Sequence, residues 1–398
     1  AGLPAADKAR APHGQADSDV AEAAMVRTGI DVLEDTGFAQ LAGHRIGLLT
    51  NQTGRDSLGR RTTDVLASAP GVTLAQLFTP EHGMEGGRDE AVGNGIDAAT
   101  GLPVVSLYGE HTKPTPDMLH GIDMMVVDLQ DVGARFYTYA TTMAYMLEAC
   151  AKAGIPVVVL DRPNPIKASV VQGPVLDAAL TSFTGYFPMP TRHGMTMGEL
   201  ARLFNVAAPI GADLRVVAMT HYSRDAWYDA TGLPWVAPSP NLRSVVQAAL
   251  YPGVAMVEGA NVSVGRGTPS PFELVGAPWI DGARLARSLN DRGLPGLRFT
   301  ATDFTPLTGP YRNEVCHGVT IEVLDRDVLD SPRLGLELVA TLHRIAPGRF
   351  QIDRTLGMVG SRAVLEALKR GETPNEALRL TMPSLAAFER LRHRALLY

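Results

Sequence analysis

The sequence predicts an α/β protein: a parallel sheet with helices on both faces, followed by a smaller α+β region. Three observations predict it. Apolar runs alternate with helix-patterned segments from about Val26 to His221, and that repetition builds a parallel sheet. Two of the runs, "IDMMVVDLQD" (122–131) and "IPVVVLDRPNP" (155–165), are apolar without alternation, as strands buried on both faces are. Beyond the stretch 210–240 the texture shifts to Pro, Gly and Trp before helical patterns return.

The elements follow in order. Residues 1–25 open with "AGLPAADKARAPHGQADSDVAEAA", rich in Ala and polar residues and without hydrophobic period. They read as a disordered leader of the kind left after a signal peptide, hence as a sign of an exported, periplasmic or extracellular protein. "HRIGLLTN" (44–51) is a strand, "TTDVLASA" a helix, and "VTLAQLF" (72–78) and "LPVVSLYG" (102–109) further strands. "PDMLHG" starts a short helix, and 122–131 is the next strand. "TYATTMAYMLEACAKAG" (138–154) carries apolar residues at helical spacing until Gly154 stops it. After the strand at 155–165 come a helix at 195–205 and a strand at 214–221. The later helices are "DGARLARSLNDRG", "SPRLGLELVATLHRI", "GSRAVLEALKRG" and "SLAAFERLRHRAL", with one strand at "GVTIEVLD". The expected division is a leader (1–25), a sheet domain (26–220) and a C-terminal domain (221–398) forming the other wall of a cleft.

Composition bounds the function. The 398 residues are 45% hydrophobic, with formal net charge −6 and pI near 5.9. An acidic balance argues against nucleic acid as a partner, because a phosphate-binding surface needs a basic excess. No apolar run approaches the roughly 18 residues of a membrane span. The two cysteines, Cys150 and Cys316, form no zinc-type spacing. Cys150 reads as a buried small hydrophobe on a helix. No metal and no cofactor is expected: G-x-G-x-x-G, the P-loop and H-E-x-x-H are all missing. The G-x-S-x-G elbow is missing too; its nearest approach, "NVSVG" with Ser263, leaves a serine esterase as a minor alternative.

The chemistry gathers where strands end. Asn51, Glu81 with His82, Tyr108, Asp128 with Gln130 and Asp131, and Asp161 with Arg162 and Asn164 each close an apolar run. Ligands of open parallel sheets bind outside those carboxyl ends. In "FTPEHGMEGGRDE" (78–90) Pro80 stiffens the strand end beneath Glu81. A carboxyl group held in a pocket can serve as a general acid. If the strand continues, His82 points to the opposite side and supports rather than reacts. Glu85, Asp89 and Glu90 read as solvated charges, one of which could supply a second carboxylate. "DLQDVGARFYTY" (128–139) offers Asp131, Arg135 and the aromatics Phe136, Tyr137 and Tyr139. It reads equally as a sugar-and-carboxylate site or as core aromatics with Arg135 paired to Asp131. Arg192 and His193 precede a helix whose N-terminus favours anions. "EGANVSVGRGT" (258–268) adds Glu258, Asn261, Ser263 and Arg266 on a glycine loop.

These stretches together resemble the NamZ-type exo-β-N-acetylmuramidases, a bacterial family long known only as a domain of unknown function. The resemblance rests on "LLTNQTG" (48–54), "PEHG" (80–83), "GLPVVSLYG" (101–109), "DLQDVGARFYTY", "DRPNP" (161–165), "RHGMTMGELA" (192–201), "PSPNL" (238–242), "EGANVSVGRGT" and "PFELVGAPW" (271–279). They run in order through residues 27–398. The resemblance implies a Rossmann-like N-terminal domain, a smaller C-terminal domain and a cleft between them. It implies release of N-acetylmuramic acid from the non-reducing end of peptidoglycan-derived saccharides, without metal or nucleotide. It makes Glu81 the catalytic glutamate, with the glycines after it letting the sugar come close. Two places depart from the family pattern: Glu85 stands where a basic residue is expected, and Ala260 where a threonine is. The second catalytic group is therefore not assigned.

The candidate substrate-binding residues are His82, Asp131, Arg135, Tyr137, Arg162, Asn164, Arg192, His193, Asn241, Asn261 and Arg266. Muramic acid carries a lactyl carboxylate, which Arg135, Arg162, Arg192 or Arg266 could meet with a bidentate fork. The competing reading is a non-catalytic sugar- or muropeptide-binding protein of the same architecture.

Overall fold

The computed structural model describes residues 25–398. The expected leader lies outside the described residues except for Met25. A helix α1 (Gly29–Asp35) precedes β1 (Arg45–Thr50), α2 (Thr62–Ala67), β2 (Thr73–Thr79), β3 (Gly95–Ile96) and β4 (Pro103–Ser106). Next come β5 (Met124–Asp128), α3 (Tyr139–Ala153), β6 (Val157–Leu160), the pair β7 (Gln172–Val175) and β8 (Pro190–Arg192), α4 (Met197–Ala207) and β9 (Leu214–Val217). Seven strands form one sheet in the order β3-β4-β2-β1-β5-β6-β9. Every pairing in it is parallel except that of β3 with β4.

The chain lays β2 and β4 on one side of β1 and then returns to lay β5, β6 and β9 on the other. The order therefore reverses between β1 and β5, and such a reversal opens a crevice at the strands' carboxyl ends. β1 and β5 are in register there, with Thr50 opposite Asp128. β5 and β6 are buried at every position, which is why their sequences show no alternation.

The second half opens with α5 (Val245–Val254). Then come β10 (Leu274–Ala277), α6 (Gly282–Asn290), β11 (Leu297–Phe304), β12 (Cys316–Val323) and α7 (Ser331–Ile345). Four helices close the chain: α8 (Leu356–Val359), α9 (Arg362–Lys369), α10 (Pro374–Arg379) and α11 (Met382–His393). β10, β12 and β11 form an antiparallel sheet in that order. The stretch "PDMLHG" is a 3-10 turn at Pro116–Leu119 rather than an α-helix.

Two cores result. One lies on the α1–α2 face of the large sheet and draws on Ile30, Leu48, Leu66, Val126 and Leu160. The other runs without interruption from the opposite face, through Met125, Phe136, Met143 and Phe204, into Tyr251, Phe272, Val319 and Leu338 of the second half. Cys150 lies in it, and burial pushes its thiol up to about 12. Cys150 and Cys316 are both free. Among the described residues, no helix is long and apolar enough to cross a membrane.

Candidate active site

A cleft of about 350 Å³ opens at the carboxyl end of the large sheet. That is within the usual range for a small-ligand site. It is lined by Glu81, His82 and Asp89 after β2, by Phe136, Tyr137 and Thr138 after β5, and by residues of the second half. The latter include Tyr251, Arg266 and Phe272, while Ser239 and Leu242 come from the segment just before α5.

β2 ends at Thr79, and Pro80 leads into a turn rather than a longer strand. Glu81 is half-buried there, and the Thr138 hydroxyl donates to its Oε2 at 2.7 Å. The Tyr108 phenol also faces this carboxylate. Burial and the neighbouring Glu81 charge push the phenol up to about 12, so it stays a donor. Behind Glu81, the Tyr139 hydroxyl donates to the Pro238 carbonyl at 2.6 Å and accepts from Asn51 Nδ2 at 2.9 Å. The end of β1 and the start of α3 are thus bolted to the segment that precedes α5. His82 is buried with φ +73°. Alternation fails at that point, so His82 turns towards the same cleft as Glu81 instead of away from it. Phe272 (φ +64°) is a second non-glycine residue in the cleft wall with left-handed backbone. Such strain gathers at sites that need a particular side-chain placement.

The glycines after Glu81 serve the protein itself. A Cβ on Gly83 would lie 3.0 Å from Val92, and one on Gly86 would lie 1.8 Å from the Gln52 amide. Gln52 in turn donates to the Ala237 carbonyl at 2.9 Å. The expectation that these glycines make room for a sugar is corrected: two of them make room for neighbouring side chains.

Most of the strand-end rim is scaffold. Arg162 pairs with Asp128 at 2.5 Å, both buried. Asp161 accepts from Gly198 N, Thr196 Oγ1 and Tyr398 Oη, each at 2.7 Å. The N-terminus of α4 therefore holds a carboxylate from the protein itself, not a ligand anion. Asn164 is buried, donating to the Met195 carbonyl and accepting from Ile166 N. His193 is buried with Nε2 3.1 Å from Asp131 Oδ2, while its Nδ1 accepts from Met195 N. The proton must then sit on Nε2 and point at Asp131. Asp131 also accepts from Gly133 N.

Arg135 does not pair with Asp131. It is buried and donates to the Met358 carbonyl at 2.7 Å, at the end of α8. Burial lowers its pKa to about 10, with Asp177 acting in the opposite direction. Arg192 is buried against the Trp227 ring and donates to the Ile166 carbonyl and to Gln172. Asn261 lies outside the cleft lining and holds the Arg349 carbonyl and Gln351 N. Of the four arginines, only Arg266 lines the cleft. Burial opposes its charge, but Glu258 beside it more than restores it.

The cleft brings together Glu81, His82, Tyr137 and Arg266 from the sequence-derived set. Asn241 joins them from behind, donating to Asp89 at 2.7 Å. Asp89, read from sequence as solvated, is in the cleft wall. Tyr251 and Phe272 were missed. They build an aromatic wall with Tyr137 and Phe136: Tyr251 stands edge-on to Phe136 (5.3 Å), Tyr137 (6.1 Å) and Phe272 (4.8 Å). "PFELVGAPW" held the signal for Phe272, whereas "YPG" hid Tyr251 as loop punctuation. Thr308 and Gly309 also reach the cleft, from a segment without any motif. Ser263 is buried, and its Oγ accepts from Gly265 N, away from the cleft lining. It has no histidine partner among its hydrogen bonds, which removes the esterase reading. No group of three or more His, Cys, Asp or Glu among the described residues could hold a metal ion.

Comparison with known proteins agrees with this arrangement. Residues 46–246 match the family described as exo-beta-N-acetylmuramidase NamZ, N-terminal, and residues 249–398 match its C-terminal counterpart. The peptidoglycan beta-N-acetylmuramidase NamZ of Bacillus subtilis (strain 168) is 42% identical over 386 residues, covering 96% of this chain and 93% of that protein. Crystal structures of two DUF1343 family proteins from Bacteroides fragilis superpose with TM-scores of 0.86 and 0.79 at 33% and 31% identity. Each covers 94% of this chain and 99% of its own. The chain belongs to the NamZ exo-β-N-acetylmuramidase family.

Proposed function

We propose that this protein is an exo-acting glycoside hydrolase that releases N-acetylmuramic acid from the non-reducing ends of peptidoglycan fragments, with Glu81 as the general acid. The observation that carries this reading is the placement of Glu81. Its carboxyl group stands in a cleft walled by Tyr137, Tyr251 and Phe272, steadied by the Thr138 hydroxyl. Aromatic faces suit a sugar ring, and a positioned carboxyl group can protonate the leaving glycosidic oxygen. A pocket of this size accommodates a terminal sugar unit rather than a long glycan, which favours exo action. Arg266, which lines the cleft beside its partner Glu258, is the cation that meets the lactyl carboxylate, because Arg135, Arg162 and Arg192 lie outside the lining on buried partners. The 42% identity to a peptidoglycan muramidase supports the same substrate class.

The test is chromophore release from 4-nitrophenyl β-N-acetylmuramide by the wild type and by Glu81→Gln, with the N-acetylglucosaminide as control. Muramide-selective turnover that falls by about 100-fold or more in the variant is expected, the usual scale for losing an acid catalyst. Binding of the muramide without turnover would replace this reading with a sugar-binding protein.

A further inference from the structure

Asp89 is the only carboxylate besides Glu81 among the residues lining the cleft. The two sit eight positions apart, on one loop. His82 ties that loop together. Its Nδ1 lies 2.8 Å from the Arg88 carbonyl, and a carbonyl only accepts, so Nδ1 carries the proton and donates. The residue fixed this way is the one immediately before Asp89. Three elements then converge on the Asp89 carboxylate. Asn241 donates to Oδ2 at 2.7 Å, while Oδ1 lies 3.8 Å from both Arg266 Nη1 and His82 Nδ1. Yet the side chain keeps 42% of its exposure, so its oxygens are held and still reachable from the cleft. A solvated surface charge needs none of these partners. Glu85 and Glu90, on the same loop, are exposed and have none.

We propose that Asp89 is the second catalytic carboxylate and that His82 is a positioning residue which delivers it. This rests on the hydrolase reading above. Glu81 serves the leaving group and Asp89 the attacking side, the division of labour that glycosidic hydrolysis commonly uses. The oxygen of a water molecule bonds to C1 of the muramyl unit while one of its protons passes to Asp89. The bond from C1 to the departing oxygen breaks, and that oxygen takes the proton of Glu81. The net change is one water added across one glycosidic bond, with the proton returned from Asp89 to Glu81 through solvent. The left-handed backbone at His82 accompanies this role: with it, the ring turns back to the Arg88 carbonyl.

The experiment measures Asp89→Ala and Asp89→Asn on the 4-nitrophenyl muramide, with and without sodium azide, beside thermal melts of each variant. Azide needs no base to attack C1. The expected result is a kcat lowered by about 100-fold or more, KM within about threefold, and recovery with azide to give a muramyl azide. His82→Ala is expected to lose part of its kcat and to regain part of it with azide, since its defect is the same misplaced base. A merely structural carboxylate would show no azide effect. Asp89 variants keeping more than a tenth of wild-type kcat, or a loss that azide leaves untouched, would overturn the proposal. A wild type that never turns over the muramide overturns hydrolysis itself. An active wild type beside unaffected Asp89 variants overturns only the role of Asp89.

Discussion

Thr138 gives Glu81 its one short side-chain hydrogen bond, at 2.7 Å. Thr138→Val keeps the shape and removes the donor. A hydrogen bond to a charged group contributes about 1.5–3 kcal/mol, so kcat on the muramide should fall by about ten- to a hundredfold, with KM little changed. The arginines make a second prediction. Arg266→Ala should raise KM for the muramide by about tenfold, since losing one charge-assisted bond is of that order, and should lower kcat as well, because Arg266 also faces Asp89. Arg135→Ala should leave KM alone and instead lower thermal stability, because it empties a buried site that ties residue 135 to α8. Measuring both constants and both melting temperatures separates the two. Sequence could not make this distinction. An arginine in a motif reads the same whether it meets a ligand or a carbonyl 223 residues away. Glu81 was legible because a strand end, a proline and a carboxylate are local facts. Asp89 was legible only as one of three carboxylates with Glu85 and Glu90, because the partners that set it apart come from residues 241 and 266.

Helices and strands were legible where their pattern was local. β1, β2, β5, β6, α3, α4 and α7 lie where the apolar runs place them. α5 was hidden because Pro252 and Gly253 stand in its last turn. That glycine lets α7 approach: a Cβ on Gly253 would lie 2.0 Å from the Ser331 carbonyl. β11 was hidden because only one of its eight positions is buried. The end of β6 makes a prediction at this scale. Asp161 is fully buried, and burial raises its pKa from 3.8 to about 6 despite the donors around it. The folded chain therefore keeps a proton that the unfolded chain gives up between about pH 4 and pH 6. Stability from this group is complete below pH 4 and lost as pH rises through 6, about 3 kcal/mol for a shift of this size. In Asp161→Asn that loss is gone. The melting temperature of the wild type relative to the variant should fall from pH 4 to pH 7, and a constant difference would refute the assignment.

At the scale of the whole molecule, the two matched regions, 46–246 and 249–398, share one core. The Arg135–Met358 bond joins them directly, while the Tyr139–Pro238 and Asn241–Asp89 bonds fix the segment that leads from the first into the second. A single cooperative unfolding transition is expected, visible as coincident melts by tryptophan fluorescence and far-ultraviolet circular dichroism; two separated transitions would show independent halves. The fold class was legible because strand–helix alternation is a pattern along the chain. The shared core was not, because it is a property of which faces meet. That core has a bearing on biosynthesis. The amino-terminal half leaves the ribosome first, and its α3–α4 face, with Phe136 and Met143, has no cover until Tyr251, Phe272 and Leu338 have been made. During that interval the nascent chain presents a sticky surface, a condition that invites chaperone capture or aggregation.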